Sequence, residues 1–285
     1  VGMPISRAAR MTRTAISPRL AIRIFWSTGA NVGAVDSRGD IWGEVAADGG
    51  RPAGWDVRRV DETGSTNADL LAAVEAGAAG DRTVLLADHQ TAGRGRLDRR
   101  WEAPPGANLL VSIASSPVPS PPSIATHRIG LAALAAVRAL RPAAEVSLKW
   151  PNDVLLDGRK IAGVLAQRAA SVDAVVVGLG LNVGWAPEGA AALDVDVSPA
   201  DVLVLLLDAL DDLPADIGPA YRSALSTVGQ RVRIELPGDT VAFGTAVDID
   251  ADGRIVVEAA DGTTTSYDVG DVVHLRPGRP GPAHV

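Results

Sequence analysis

Cysteine is absent from the 285 residues. That excludes a disulfide frame, a thiolate metal site and a cysteine nucleophile. Histidine is scarce: His89, His127, His274 and His284 are the only four, and their spacing does not make a zinc cluster. Although 47% of the residues are apolar, no run approaches the roughly 20 that a helix needs to cross a bilayer. Positive charge is in deficit, with a formal net charge of −7. Because phosphate contacts dominate nucleic-acid affinity, that deficit argues against a general nucleic-acid binder and leaves room only for a local basic site.

The feature that is present against this background is one loop, His89–Trp101. It carries four arginines and two glycines in thirteen residues, including Gly93-Arg94-Gly95-Arg96. It lies between two apolar runs, Thr83–Ala87 and Asn108–Ile113, that read as buried strands. Glycine lets backbone approach a ligand closely. Arginine offers planar, permanently charged donors suited to phosphate oxygens. The loop reads as a flexible cationic clamp for an anion rather than a solvated hairpin tip.

The length allows one large and one small domain. Residues 1–53 differ from the rest: Arg7, Arg10, Arg13, Arg19 and Arg23 are interleaved with Ser and Thr, without the apolar core of a secretory signal. They read as a disordered N-terminal extension, with no helix-turn-helix pattern. The folded part is expected to begin near Trp55, with an alternating strand Trp55–Val60. A helix follows Asp61–Asn67, with Ser65 or Thr66 as N-cap and Gly77 as C-cap. Local pattern alone assigns Ser65 and Thr66 to capping.

Pro117–Pro122 break the chain, and Ile129–Leu140 reads as a buried helix. Strands are expected at Glu145–Trp150, Val154–Leu156, Lys160–Gln167 and Ala174–Val183. Asp157-Gly158 is a hairpin signal, and Gly178 and Gly180 thin the last strand where a ligand or backbone passes closely. Asp201–Leu210 and Ile217–Leu225 read as helices. From Gly229 five short alternating runs follow, several separated by Asp252-Gly253 and Asp261-Gly262, as in a small β-barrel. The tail from 278 is read as flexible.

Polar islands stand at strand ends: the clamp loop, Lys149-Trp150-Pro151-Asn152-Asp153, Gly158-Arg159-Lys160, and Asn182 after Gly178-Leu179-Gly180-Leu181. Each alone is weak; in this order they are specific. The chain resembles the biotin protein ligases through Glu62–Asn67, Gln90–Arg96, Lys149–Asp153, Arg159–Leu165 and Gly178–Asn182. The resemblance covers roughly 55–276. It implies an α+β fold: a central mixed β-sheet catalytic domain flanked by helices (54–227), plus a small C-terminal SH3-like β-barrel (228–277) and a flexible tail (278–285).

The resemblance also implies a function: ATP-dependent activation of biotin to biotinyl-5′-AMP, then transfer of biotin to a lysine of a biotin carboxyl carrier domain. Biotin and ATP with Mg²⁺ are then substrates, and no tightly bound metal is expected. Lys160, Arg94 and Arg96 are the implied catalytic residues. Ser65, Thr66, Gln90, Arg94, Lys160, Gly163 and Gly180 are the implied biotin site. Arg94, Arg96, Trp101, Lys149, Asn152 and Asn182 are implied for the nucleotide, with Trp101 stacking on adenine. Asp153 is the candidate metal ligand. The chemistry asks for such groups, because carboxylate and α-phosphate repel and cationic donors offset that repulsion.

Leu97-Asp98 departs from the family pattern and puts a negative charge inside the clamp. The implied setting is the cytoplasm, with neither membrane nor nucleic acid as partner; a homodimer joined at sheet edges stays open. Two alternatives stand beside the leading one. A lipoate–protein ligase would share the fold, but lipoate lacks the urea that Ser65, Thr66 and Gln90 suit. A biotin-responsive DNA-binding repressor is disfavoured by the acidic balance and the unpatterned N-terminus.

Overall fold

A computed structural model describes residues 43–44, 54–96, 99–236, 238, 240–268 and 271–274. The extension expected over 1–53 lies outside the described residues except for Gly43–Glu44, as do Leu97, Asp98 and the tail from 278. The strands are β1 (Gly43–Glu44), β2 (Asp56–Thr63), β3 (Thr83–Gln90), β4 (Leu109–Ser115), β5 (Val146–Lys149), β6 (Asp153–Leu156), β7 (Arg159–Arg168) and β8 (Val175–Leu181). They form one sheet in the order β1-β2-β3-β4-β8-β7-β6-β5. The pair β2·β3 is parallel and the other neighbours are antiparallel. This is the mixed sheet expected of the fold.

The parallel pair needs a crossover, and α1 (Thr66–Glu75) supplies it between β2 and β3. Ser65 stands at its N-cap, and Gly77 follows the C-cap with φ +71°, the left-handed conformation that ends helices. Helix α1 packs on β3, β4 and β8. Helix α2 (Ser123–Leu140) packs on β5, β7 and β8, and α3 (Pro199–Asp211) packs on α2 and β4. Alternation along β8 sorts the two faces. Val175, Val177 and Leu179 join the large core with α2 and α3, whereas Val176 joins Leu70, Val74 and Leu85 against α1. Leu206 and Leu207 of α3 are fully buried, each contributing about 1.5–3 kcal/mol of apolar transfer.

Several boundaries differ from the sequence reading. Helix α2 begins at Ser123, not Ile129, directly after the prolines. Helix α3 begins two residues before Asp201, because Ser198 and Asp201 form a reciprocal capping box with Pro199 in the first turn. Strand β2 runs on to Thr63, and the residues after β3 stay paired with its end through Thr91 N–H to Thr63 O and Ala92 N–H to Gly64 O, both 2.9 Å. That extension sets Gln90 beside Ser65 and Thr66.

After α4 (Gly218–Ala224), the strands β9 (Arg231–Leu236), β10 (Thr240–Ile249), β11 (Ile255–Glu258), β12 (Thr264–Tyr267) and β13 (Asp271–His274) form an antiparallel sheet ordered β12-β11-β10-β9-β13. Its inward residues Val232, Ile234, Ile255 and Val257 belong to the same apolar cluster as α2 and α3.

Candidate active site

On the α1 side of the main sheet, the space beyond the helix is a cavity of about 380 Å³. Its floor is the cross-strand pair Gly163 and Gly180 on β7 and β8. Its walls come from the N-terminus of α1, the clamp loop, the turn between β5 and β6, Lys160 on β7, and Glu235, Val272 and Val273 of the C-terminal sheet. Every site residue expected from the sequence lines it: Ser65, Thr66, Gln90, Arg94, Arg96, Trp101, Lys149, Asn152, Asp153, Lys160, Gly163, Gly180 and Asn182.

Within the described residues, the clamp loop is a short hairpin. Trp101 N–H donates to Gly93 O at 3.0 Å, Arg94 and Arg100 are bridge partners, and Gly95 N–H donates to Arg99 O at 2.6 Å. A Cβ at Gly93 would lie 2.4 Å from Trp101 O, so only glycine closes the hairpin base. The hairpin swings the Trp101 indole onto the glycine floor, where a Cβ at Gly180 would meet it at 2.3 Å and one at Gly163 at 3.3 Å. Lys160 Nζ lies 5.7 Å from the centre of that ring, within cation–π range. Trp101 Nε1 is buried without a hydrogen-bond partner in the protein.

Lys160 Nζ is 2.6 Å from Asp153 Oδ1. This pair lines the same cavity as Arg94 and Arg96. Asn152 donates from Nδ2 to Val164 O at 2.7 Å, and Val164 N–H returns a bond to Asn152 O at 2.9 Å, which staples the β5–β6 turn to β7. The same turn is braced from the C-terminal side. Trp150 N–H donates to the buried Thr227 hydroxyl at 3.1 Å, Trp150 Nε1 donates to Gly253 O at 3.0 Å, and His274 Nε2 lies 3.2 Å from Thr227 Oγ1. Burial and, less strongly, the nearby Lys149 cation push the His274 pKa below the usual histidine value.

At the α1 end, Ser65 holds the N-cap position but makes no side-chain capping bond, so its hydroxyl is not committed to the helix. Gln90 Oε1 takes over that duty, accepting from Thr66 N–H at 2.7 Å. Behind it lies a polar set that the sequence reading did not single out: the buried Asn67 and Ser112 and the half-buried Gln167. Ser112 had one visible signal, being a lone hydroxyl in the apolar strand Leu109–Ile113.

The assembly joins hydroxyls, an amide, cationic side chains and an aromatic ring around a glycine-floored cavity. Residues 61–183 match the Biotin/lipoate A/B protein ligase family, and residues 227–275 match the Biotin protein ligase C terminal domain. A biotin–[acetyl-CoA-carboxylase] ligase of Mycobacterium tuberculosis (strain ATCC 25618 / H37Rv) is 42% identical over 250 residues, which is 80% of this chain and 92% of that protein. The chain belongs to the biotin protein ligase family. A ligase of the same description from Paracoccus denitrificans is 37% identical over 59% of this chain and 73% of its own length. Among solved structures, the biotin protein ligase from Aquifex aeolicus in complex with biotin and ATP aligns with a TM-score of 0.65 and 25% identity, covering 78% of this chain and 99% of that one.

Several of the expected site residues also have contacts within the protein. Gly163 and Gly180, expected to leave room for biotin, lie under the Trp101 indole. Asn182, expected at the nucleotide, is buried, with Nδ2 donating to Ala191 O at 2.9 Å and Oδ1 accepting from Asn108 Nδ2 at 3.2 Å; it anchors the chain after β8. Asp153, the candidate metal ligand, already has a protein partner. Its carboxylate is paired with Lys160, and among the described residues no three His, Asp or Glu side chains converge as a metal site.

Proposed function

We propose that the chain joins biotin to ATP, releasing pyrophosphate, and then passes biotin to one lysine of a biotin carboxyl carrier domain. In the first step a biotin carboxylate oxygen forms a bond to the α-phosphorus, and the bond from that phosphorus to the β-phosphate oxygen breaks. In the second, the lysine ε-amine attacks the acyl carbon, loses a proton and displaces AMP. Lys160 holds the carboxylate in line, Arg94 and Arg96 offset charge on the phosphates, and Ser65, Thr66 and Gln90 take the urea. Lys149 and Asn152 face the phosphate side, and Trp101 offers the aromatic face for adenine. Asp153 orients Lys160 before substrate arrives; the cation enters only as part of the Mg²⁺–ATP substrate.

The observation that carries this reading is the Lys160–Asp153 pair, 2.6 Å apart, on the same glycine-floored cavity as the arginine hairpin and the α1 hydroxyls. A cavity of this size and mixed lining suits a small ligand with an apolar body and a few placed polar partners. In this reading 54–227 is the catalytic domain, and the SH3-like domain, 228–277, closes one wall of the cavity. The proposed place of action is the cytoplasm; among the described residues no helix is long and apolar enough to cross a membrane.

The test mixes the protein with ATP, Mg²⁺ and either biotin or lipoate and follows pyrophosphate. Mass spectrometry of a carrier domain then looks for one added biotinyl group. Release with biotin and a single modified lysine are expected. Release with lipoate and none with biotin would sink the proposal.

A further inference from the structure

We infer that Ser112, which does not line the cavity, fixes the Thr66 hydroxyl as a hydrogen-bond acceptor and thereby makes the site select a ligand that carries a ring N–H. The inference rests on the biotin reading above and adds a positioning residue that sets specificity.

The argument is a count of protons. Asn67 places one end of its amide 3.0 Å from Leu165 O and from Gln167 Oε1. A backbone carbonyl only accepts, so that end is the nitrogen and the other is Oδ1. Asn67 Oδ1 lies 2.7 Å from Ser112 Oγ and also only accepts. The single Ser112 proton therefore points at Asn67. Gly178, the cross-strand partner of Ser112, makes this possible: a Cβ there would lie 2.5 Å from Asn67 Oδ1.

With its proton spent, Ser112 Oγ meets Thr66 Oγ1 at 2.8 Å as an acceptor, so the Thr66 proton points at Ser112. Thr66 Oγ1 also lies 3.0 Å from Gln90 Oε1. That Gln90 atom is an oxygen because it accepts the Thr66 backbone N–H. Three oxygen–oxygen contacts thus share two hydroxyl protons. Ser112 is fully buried and Thr66 and Asn67 nearly so. In such a setting an unprotonated oxygen pair is costly.

The network is one proton short at its cavity end, where Thr66 and Gln90 line the site. A ligand N–H supplies the missing proton; a ligand oxygen at the same place adds a further repulsion. The urea of biotin carries N–H groups. A cyclic carbamate analogue, in which oxygen replaces one ring N–H, presents only lone pairs there.

The experiment measures kcat and KM for adenylate formation with biotin and with each of the two carbamate isomers, in the wild type, Ser112→Ala, Ser112→Cys and Thr66→Val. The wild type is expected to prefer biotin over one isomer by about a hundredfold or more, as sites built around a buried partner reject analogues lacking it. Ser112→Ala frees the Thr66 hydroxyl to turn and donate, so the preference should fall at least tenfold through KM, with kcat for biotin little changed. Ser112→Cys, a weak donor, should fall between. Should Ser112→Ala fail to fold, Thr66→Val carries the same expectation of lost preference. Equal discrimination in the wild type and the folded variants would overturn the role of Ser112. Absence of pyrophosphate release by the wild type with biotin would instead overturn the functional reading on which it rests.

Discussion

A methyl group on Gly180 would sit 2.3 Å from the Trp101 indole, and one on Gly178 would sit 2.5 Å from Asn67 Oδ1. Neither neighbour is the far end of a long flexible side chain, so each would have to shift as a whole. Gly180→Ala is therefore expected to destabilise by about 1–3 kcal/mol, as overpacking does, and to raise the KM for biotin, read by thermal denaturation and steady-state kinetics. An unchanged melting temperature together with an unchanged KM would mean that Trp101 does not rest on this glycine. The sequence marks these two positions as places of close approach, and they are. What approaches is not legible, because Asn67 and Trp101 come from distant stretches that only the sheet register brings near. Ser65, Thr66 and Gln90 are named only through the family resemblance, since local pattern assigns Ser65 and Thr66 to capping; the parallel pairing of β2 and β3 is what brings the three to one cavity.

At the scale of the element, the clamp loop read as flexible, and its base is an ordered hairpin. The arginine and glycine content gave its charge and its close approaches; the pairing of Gly93 with Trp101 depends on geometry that composition does not carry. The indole lies in the cavity with Nε1 buried and unpartnered, a state that costs about 1–3 kcal/mol for such a donor. Ligand entry over Gly163 and Gly180 must displace that ring. Adding biotin is expected to change intrinsic tryptophan emission, and Trp101→Phe should abolish the change while the other five of the six tryptophans remain. A full-sized signal in Trp101→Phe would place the moving ring elsewhere. The helices teach a related lesson. The apolar stretch of α2 was plain from Ile129 on, but its first turns follow a run of prolines whose local preference for extended backbone hid where the helix begins.

At the scale of the molecule, the division into a large mixed sheet and a small β domain was legible from the change of texture near Gly229. The contact between them was not. One point of it is His127 of α2, stacked on Tyr221 of α4 with ring centroids 3.8 Å apart and set against the turn at Gly253, where a Cβ would meet its ring at 2.3 Å. Burial lowers the His127 pKa from 6.5 to about 4. Above pH 6.5 the ring is neutral in both folded and unfolded chains, so it adds no pH dependence. Between 6.5 and about 4 the unfolded chain takes up a proton that the folded one refuses. Stability therefore falls as pH drops through that window, by at most about 3 kcal/mol from this group. Calorimetry across it should show the slope in the wild type and a flatter profile in His127→Phe; identical profiles would remove His127 as the cause.

The same calorimetric trace reads out one more property of the shared apolar cluster. Val232, Ile234, Ile255 and Val257 of the small sheet belong to one continuous core with α2 and α3, so neither part keeps its interior covered without the other. Two parts that share an interior are expected to melt in one transition, and two resolved calorimetric peaks would count against it. On that expectation the β domain is not an appendage but a share of one cooperative unit, and the cavity wall it supplies should persist for as long as the whole chain is folded.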